Sequence, residues 1–357
     1  MSKTIIFSIN SEVYSESFIN AQKKALPDAL FMYGGMEPTH TESGFNIFTL
    51  SALNVLKYPY YRNKWGFNYY EFCLYEFLKH KKLKTAIIQY GVTAVKLVRV
   101  LQKLNITIIV HYHGFDASVK RINITAYNKV FTAASRLLVV SNEMEQDLLK
   151  LGAPQTKIKH VRYNPDARFF ECKPKYDENY FVSAIRFAEK KNPHKLILGF
   201  YEFQKRNPDY KLYLCGDGGL LKPCKDLVEY LNIEDKIIFK GVLNRDQLKK
   251  LYAHAKGYVQ ISSTSSKNDK EGMPISILEA MAAGLPVIST RHAGIQEILE
   301  DNYNGIVIQP VVEEIKNGFC KLIDSDFKKL GVNARKYMQQ FVEQNDYKES
   351  IKNLVNI

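Results

Sequence analysis

Short apolar runs alternate with longer amphipathic stretches along most of the chain. Runs rich in Val, Ile and Leu predict buried strands, and apolar residues that recur at helical spacing predict helices between them. The predicted strands cover residues 4–9, 30–33, 85–90, 106–112, 137–141 and 157–163 in the first half, and 180–185, 211–215, 237–240, 258–261 and 287–290 in the second. Because strands and helices alternate, we predict the α/β class with parallel, doubly wound sheets.

The stretch EGMPISILEAMAAGLPVISTRHAGIQEI, residues 271–298, carries the strongest chemical signal. We predict a helix whose first residue is Pro274, because its missing N–H suits that position, and which ends at Gly284, where a positive φ is tolerated. Glu271 precedes the helix and Glu279 lies within it. A helix N-terminus suits a diphosphate, and carboxylates beside it suit the neutral hydroxyls of a sugar or ribose. The alternative is that Glu271 only caps the helix and Glu279 only faces solvent.

The same stretch resembles the E-x7-E signature of the retaining glycosyltransferases of family 4, which have the GT-B fold. The resemblance implies two Rossmann-like domains that face a cleft. It also implies that Glu271 contacts hydroxyls of the donor sugar and that Glu279 binds the ribose of the nucleotide. The loop and first turn between them are predicted to bind the same nucleotide through Gly272, Met273, Pro274 and Ile275.

Other segments of the second half extend the resemblance. Arg186 and Lys191 match the family's G-R-x-x-x-x-K pattern, although the preceding glycine is absent, and two such cations would stabilise a departing diphosphate. For an isolated lysine, plain solvation would be the usual interpretation. Gly216 belongs to a G-x-G turn that we interpret as packing beside the phosphates, and Val242 follows a strand in the segment that usually meets the nucleobase.

Two segments of the first half are similar to the branch of the family associated with exopolysaccharide and O-antigen synthesis. Ser15 to Ile19 resemble its S-E-T-F-I loop, which makes Glu16 a candidate ligand for the donor, although a serine there could simply cap the helix. His113 and Asp116 form an H-G-x-D segment whose histidine borders the catalytic cleft in the family. A metal site at His111 and His113 lacks a third ligand, and a buried structural histidine is the other alternative.

The net charge of +13 is uneven, because residues 1–165 hold a surplus of ten positive charges and the remainder only three. Within residues 58–77, ten aromatic residues accompany this basic charge. Such a composition favours contact with an anionic membrane surface. A partly buried helix with solvated lysines explains it equally well. Nucleic acid is a third candidate, but no recognition motif for it is present, so we predict no nucleic-acid partner.

We therefore predict residues 1–165 as an acceptor-binding domain, 166–340 as a nucleotide-sugar domain, and 341–357 as a helix that crosses back to the first. The predicted activity is retaining transfer from a UDP- or GDP-sugar to a lipid-linked or saccharide acceptor in bacterial surface polysaccharide synthesis. No D-x-D motif of the metal-dependent transferase type appears, so no metal requirement is expected, and no cofactor is expected beyond the donor. Five scattered cysteines and the lack of a signal or membrane-spanning segment favour the cytoplasm, at the inner face of the membrane. An epimerase of this architecture and a catalytically silent sensor are the alternatives.

Overall fold

A computed structural model describes residues 3–11, 13–14, 16–49, 55–118 and 123–355. Ser15 of the predicted ligand loop and residues 356 and 357 of the predicted last helix lie outside these ranges. The contacts divide the chain into two units. The first unit comprises the chain up to Arg162 together with the segment from Tyr347 onward, and the second is Tyr163–Asp346.

The first unit is built on a seven-stranded sheet in the order β3-β2-β1-β4-β5-β6-β7. All neighbouring strands are parallel except β2 and β3, which are antiparallel. The sequence did not predict β3, which has only two residues. The strands are β1 Thr4–Phe7, β2 Leu30–Tyr33, β3 His40–Thr41, β4 Thr85–Gln89, β5 Thr107–His111, β6 Arg136–Val139 and β7 Ile158–His160.

Helices connect these strands, and polar caps fix where several of them begin. Asn68 and Glu71 form a capping box at α3, in which each side chain accepts the other's backbone N–H. Ser141 accepts from the Met144 N–H at the start of α7. The helices are α1 Ser17–Ala25, α2 Tyr58–Trp65, α3 Tyr69–Leu78, α4 Gly91–Lys103, α5 Gly114–Ser118, α6 Ile124–Ala133 and α7 Asn142–Lys150.

The second unit is built on a six-stranded, wholly parallel sheet in the order β10-β9-β8-β11-β12-β13. Its strands are β8 Tyr180–Ala184, β9 Lys211–Cys215, β10 Ile237–Gly241, β11 Gly257–Gln260, β12 Val287–Thr290 and β13 Gly305–Ile308. Its helices are α8 Pro193–Gln204, α9 Leu221–Tyr230, α10 Arg245–His254, α11 Ile275–Ala282, α12 Val312–Asp324 and α13 Phe327–Gln344.

A continuous aromatic core supports the second sheet. Phe181 of β8 packs between Phe203 of α8 and Phe319 of α12, with ring centroids 5.8 and 4.7 Å away. Gly199 lets α8 approach α12 closely, because a Cβ there would lie 2.4 Å from the Ile315 side chain. Burial of such side chains contributes about 2 kcal/mol or more each, so this core fixes the strands that carry the site.

The last helix, α14 Tyr347–Val355, packs against α1 of the first unit. Tyr347 and Ile351 are its buried residues. Within the described ranges, no helix combines the length and apolar character required to span a bilayer.

Candidate active site

The carboxyl edge of the second sheet collects several of the predicted residues. Arg186 follows β8, Gly216 follows β9 and Val242 follows β10, and these three strands are parallel neighbours. In such sheets, ligands bind beside the carboxyl ends of the strands. Arg186 is exposed, and Val242 is 48% exposed. Both side chains are therefore accessible to a ligand.

Two glycines bring the loops after β8 and β9 into direct contact. Gly216 has a φ of 127°, and a Cβ there would lie 1.9 Å from the carbonyl oxygen of Ile185. Gly218 has a φ of 150°, and a Cβ there would lie 2.6 Å from the carbonyl oxygen of Phe187. The Phe187 N–H donates to the Asp217 carbonyl at 2.9 Å. The G-x-G turn thus packs against the backbone on both sides of Arg186 and sets its position.

Lys191 and Glu271, predicted separately, form a buried ion pair. Lys191 Nζ donates to Glu271 Oε2 at 3.0 Å, and the side chains are 11% and 6% exposed. Lys190 Nζ lies 4.0 Å from Glu271 Oε1 and donates to Asp269 Oδ1 at 2.9 Å. Burial alone would raise the pKa of Glu271, but the positive charges of Lys191 and Lys190 outweigh burial and lower it to about 2. Glu271 is therefore ionised at neutral pH.

The polar loop between β11 and Glu271 is pinned to the lysine-bearing turn. The Ser263 N–H donates to the Lys190 carbonyl at 3.0 Å, and Asn192 Nδ2 donates to Ser263 Oγ at 2.8 Å. Glu189 accepts from the Ser266 N–H at 2.6 Å and from its hydroxyl at 3.0 Å. These contacts hold Lys190 and Lys191 beside Glu271. The sequence analysis missed Lys190, whose only signal was its place next to Lys191.

The helix start differs from the prediction by one residue. α11 begins at Ile275, and Pro274 is extended, with φ −73° and ψ 111°. The prediction that Pro274 is the first helical residue was therefore wrong. The proline ring fixes φ only, and Pro274 instead caps the helix, with its carbonyl accepting from the Ile277 N–H at 3.0 Å. Gly272 is tied to the loop after β12, since its carbonyl accepts from the Gly294 N–H at 3.0 Å, and Met273 is buried.

Glu279 lies inside the second unit and is 3% exposed, which excludes the solvent-facing alternative. Its Oε1 lies 2.9 Å from Nε of Arg245, the first residue of α10. Burial raises the pKa of Glu279 to about 7, and Arg245 opposes that rise. The sequence analysis missed Arg245, because nothing in the local pattern links it to an acid in another helix.

In the first unit, His113 lies in a buried aromatic and polar pocket. Its ring stacks on Phe18 with centroids 4.2 Å apart, and its Nε2 lies 2.9 Å from Gln89 Oε1. Burial lowers the pKa of His113 well below its ordinary value, so the ring is neutral at physiological pH. Phe18 belongs to the predicted S-E-T-F-I-like loop, so the structure brings that loop and the histidine together.

The other two predicted residues of this unit have defined partners. Glu16 accepts from Asn10 Nδ2 at 3.2 and 3.1 Å. Asp116 is 1% exposed, and its two carboxylate oxygens accept from the backbone N–H groups of His113 at 2.7 Å and Gly91 at 2.5 Å. This arrangement gives Asp116 a positioning role in the loop that carries His113.

One group with metal-ligating side chains is present in the described part of the chain. It consists of Asp177, Glu178 and His254, and His254 Nδ1 lies 2.7 Å from Asp177 Oδ1. None of these residues is among the predicted site residues. The two acids are exposed, and their pairing with His254 accounts for the cluster.

Comparison with known families settles the family. The sequence profile described as Glycosyl transferases group 1 matches residues 166–344, half of the chain. The chain belongs to the group 1 glycosyl transferases. The matched segment contains the lysine-bearing turn, Glu271 and Glu279.

Two similar proteins are named for the biosynthesis of bacterial polysaccharides. The chain is 29% identical over 224 residues to a "Putative colanic acid biosynthesis glycosyltransferase WcaL" of Escherichia coli, covering 61% of this chain and 55% of that one. It is 28% identical over 223 residues to the "Amylovoran biosynthesis glycosyltransferase AmsK" of Erwinia amylovora, covering 60% and 54%. The chain thus spans about half the length of these curated relatives.

Solved structures confirm the predicted fold class, the GT-B type with two Rossmann-like domains. Anabaena Alr3699/HepE, crystallised with UDP and glucose, aligns with a TM-score of 0.77 at 16% identity. The alignment covers 99% of this chain and 100% of that one. At 16% identity, this similarity is evidence for the fold only.

Proposed function

We propose that this group 1 protein is a retaining glycosyltransferase that uses a nucleotide diphosphate-sugar, linked to UDP or GDP, and needs no metal. The observation that carries the proposal is the buried Lys191–Glu271 ion pair, four residues before α11 and on the unit that carries Arg186. HepE, which shares the fold, is described in complex with UDP-glucose, and this also supports such a donor.

Each group in this arrangement has a chemical task in the proposed reaction. Arg186, Lys191 and the free N–H groups at the start of α11 stabilise the negative charge of the departing diphosphate. The bond from the anomeric carbon to the phosphate oxygen breaks while the acceptor oxygen bonds to the same face of that carbon. The proton of the acceptor hydroxyl passes to the departing phosphate. Glu271 and Glu279 accept hydrogen bonds from sugar and ribose hydroxyls, and His113 remains the predicted neighbour of the reacting carbon.

Nucleotide release from a panel of UDP- and GDP-sugars tests this activity. We expect one donor to release free sugar slowly, and Lys191→Met and Glu271→Gln to lower that rate about a hundredfold. The matched control is Lys195→Met on α8, because Lys195 bonds the Pro310 carbonyl instead of Glu271. NMR of the transferred sugar reports the anomeric configuration. Interconversion of the donor sugar would indicate an epimerase, and binding without turnover a sensor. Either result would overturn the proposal.

The acceptor that we propose is a lipid-linked or other saccharide in the synthesis of a bacterial surface polysaccharide, at the cytoplasmic face of the membrane. The names of WcaL and AmsK, with their colanic acid and amylovoran, support this assignment. The basic charge of the first unit supports the membrane location.

Helix α2 is the part of the first unit that best suits an anionic membrane. It has no buried residue, and its inner aromatic side packs on α3, with Trp65 and Tyr75 centroids 5.0 Å apart. Leu56, just before it, is 76% exposed and Tyr60 is 57% exposed. Lys57, Arg62 and Lys64 add exposed positive charge.

Co-sedimentation with vesicles tests this membrane contact. We expect binding to vesicles with anionic lipid and little binding to neutral ones. Arg62→Glu with Lys64→Glu should abolish it, whereas Lys222→Glu with Lys225→Glu, an equal charge change on α9 of the second unit, should not. Equal partition into both kinds of vesicle would contradict the membrane assignment.

A further inference from the structure

Glu279 forms an ion pair with Arg245, and this arginine lies just after the predicted nucleobase position. Arg245 Nε lies 2.9 Å from Glu279 Oε1, and the two side chains are 20% and 4% exposed. Arg168, the other arginine near this acid, is engaged elsewhere, with Asp166 at 2.7 Å and Asp246 at 3.4 Å. The negative charge of Glu279 therefore depends chiefly on Arg245.

The local fold fixes Arg245 at this place. The Asn244 side chain accepts from the Gln247 N–H, and the Gln247 side chain accepts from the Asn244 N–H, both at 2.9 Å. This capping box defines the first turn of α10, where Arg245 lies. Val242 lies three residues before Arg245 and is 48% exposed. One short segment thus joins an exposed apolar residue to the cation that holds Glu279.

We infer that Arg245 is a positioning residue that holds the Glu279 carboxylate in place and favours its ionised form, so that this carboxylate can accept hydrogen bonds from the ribose hydroxyls of the donor. The ribose contact rests on the proposed function, whereas the effect on the charge of Glu279 does not. The charged or titratable groups that act on Glu279 include Arg245 of α10, Asp166 and Arg168 near the start of the unit, and the buried Tyr252 and Tyr258; Asp246 of α10 pairs with Arg168.

A ligand-free experiment tests the charge effect. The carboxyl of Glu279 has its pKa raised from 4.5 to about 7, so its protonated form contributes stability that is lost as the pH rises through 7. Without Arg245 we expect this loss to move upward by about one to three pH units. The stability of Arg245→Met should therefore keep falling between about pH 7 and 9, whereas that of the double variant Arg245→Met with Glu279→Gln should not.

Parallel stability curves for these two variants above pH 7 would overturn the inference. Arg245→Lys keeps the charge and should return the midpoint toward that of the wild-type chain. If Arg245→Met fails to fold, the yield of soluble protein takes the place of the stability curve. In that case Arg245→Lys should still give soluble protein, and an equal loss of soluble protein in both variants would contradict an electrostatic role.

Binding of UDP and its 2′,3′-dideoxy analogue tests the ribose contact. We expect Arg245→Met to lose about tenfold in affinity for UDP at pH 7 and to regain most of it at pH 9, with no such change for the dideoxy analogue. Equal losses for both nucleotides would overturn the ribose part. A wild-type chain that binds neither UDP nor GDP would contradict the proposed function, and the pH experiment would still decide the role of Arg245.

Discussion

Removing the cation of the Lys191–Glu271 pair should destabilise the second unit strongly. Lys191→Met leaves the carboxylate, 6% exposed, with Lys190 at 4.0 Å as an ion-pair partner. The pKa of Glu271 lies at about 2 against an ordinary 4.5. Each pKa unit corresponds to about 1.4 kcal/mol, so the environment of the ionised carboxylate contributes about 3 kcal/mol. Loss of one partner of a buried pair costs about the same. Burial lowers the pKa of Lys191, so its removal recovers part of this energy, and we expect Lys191→Met to lower the free energy of unfolding by at most about 3 kcal/mol.

Pulsed thiol labelling in urea with mass spectrometry measures this change unit by unit. Cys215 and Cys224 are buried in the second unit and report its unfolding, and Cys73, buried in the first unit, is the internal control. The single tryptophan, Trp65, lies in the first unit and cannot report on the second.

A double-mutant cycle with Glu271→Gln decides whether the ion pair is the cause. In the Glu271→Gln background, no carboxylate is left buried without its partner, so Lys191→Met should destabilise the unit by less than about 1 kcal/mol. If Lys191→Met costs the same in both backgrounds, packing of the lysine stem explains the loss and the electrostatic reasoning fails.

Three further changes test other parts of the structure. Because the pKa of Glu271 is lowered, the second unit should lose stability as the pH falls from about 4.5 to about 2. Circular dichroism should show a weaker decline for Glu271→Gln, and equal declines in the two proteins would contradict this expectation. Gly216→Ala should cost about 2–4 kcal/mol in urea titration, because its φ is 127° and its Cβ would strike the Ile185 carbonyl, whereas Gly219→Ala, with open space around it, should cost little; similar losses would refute the steric account. Asp116→Asn should cost about 1–3 kcal/mol, because an amide offers one acceptor oxygen to two backbone donors, and the exposed Asp28→Asn is the control that should show no loss.

Much of the fold follows from patterns that extend over a few residues. The apolar run at Val287–Thr290 is the strand that was predicted, Asn244 caps its helix, and Gly284 has a φ of 82°. In each case the residue type itself restricts the backbone or satisfies a local donor. The strand β13, Gly305–Ile308, was missed, because no predicted helix separates it from β12.

The residues of the site could be predicted from the sequence, but only some of the contacts between them could. The position of Arg186, Lys191, Glu271 and Glu279 came from a family resemblance. That Lys191 bonds Glu271 across eighty positions is a property of the folded sheet, and no local spacing encodes it. The same holds for Tyr90, whose φ of 74° is unusual for a tyrosine and accompanies the bond from the next residue's N–H to Asp116.

The first unit is discontinuous in sequence, because α14 belongs to it and lies after the whole of the second unit. During synthesis, the ribosome must complete the second unit before the partner surface of α1 can be covered. Until then, the buried face of α1 lacks its final packing partner. The nascent chain therefore completes the packing of α1 last, although that helix is made first.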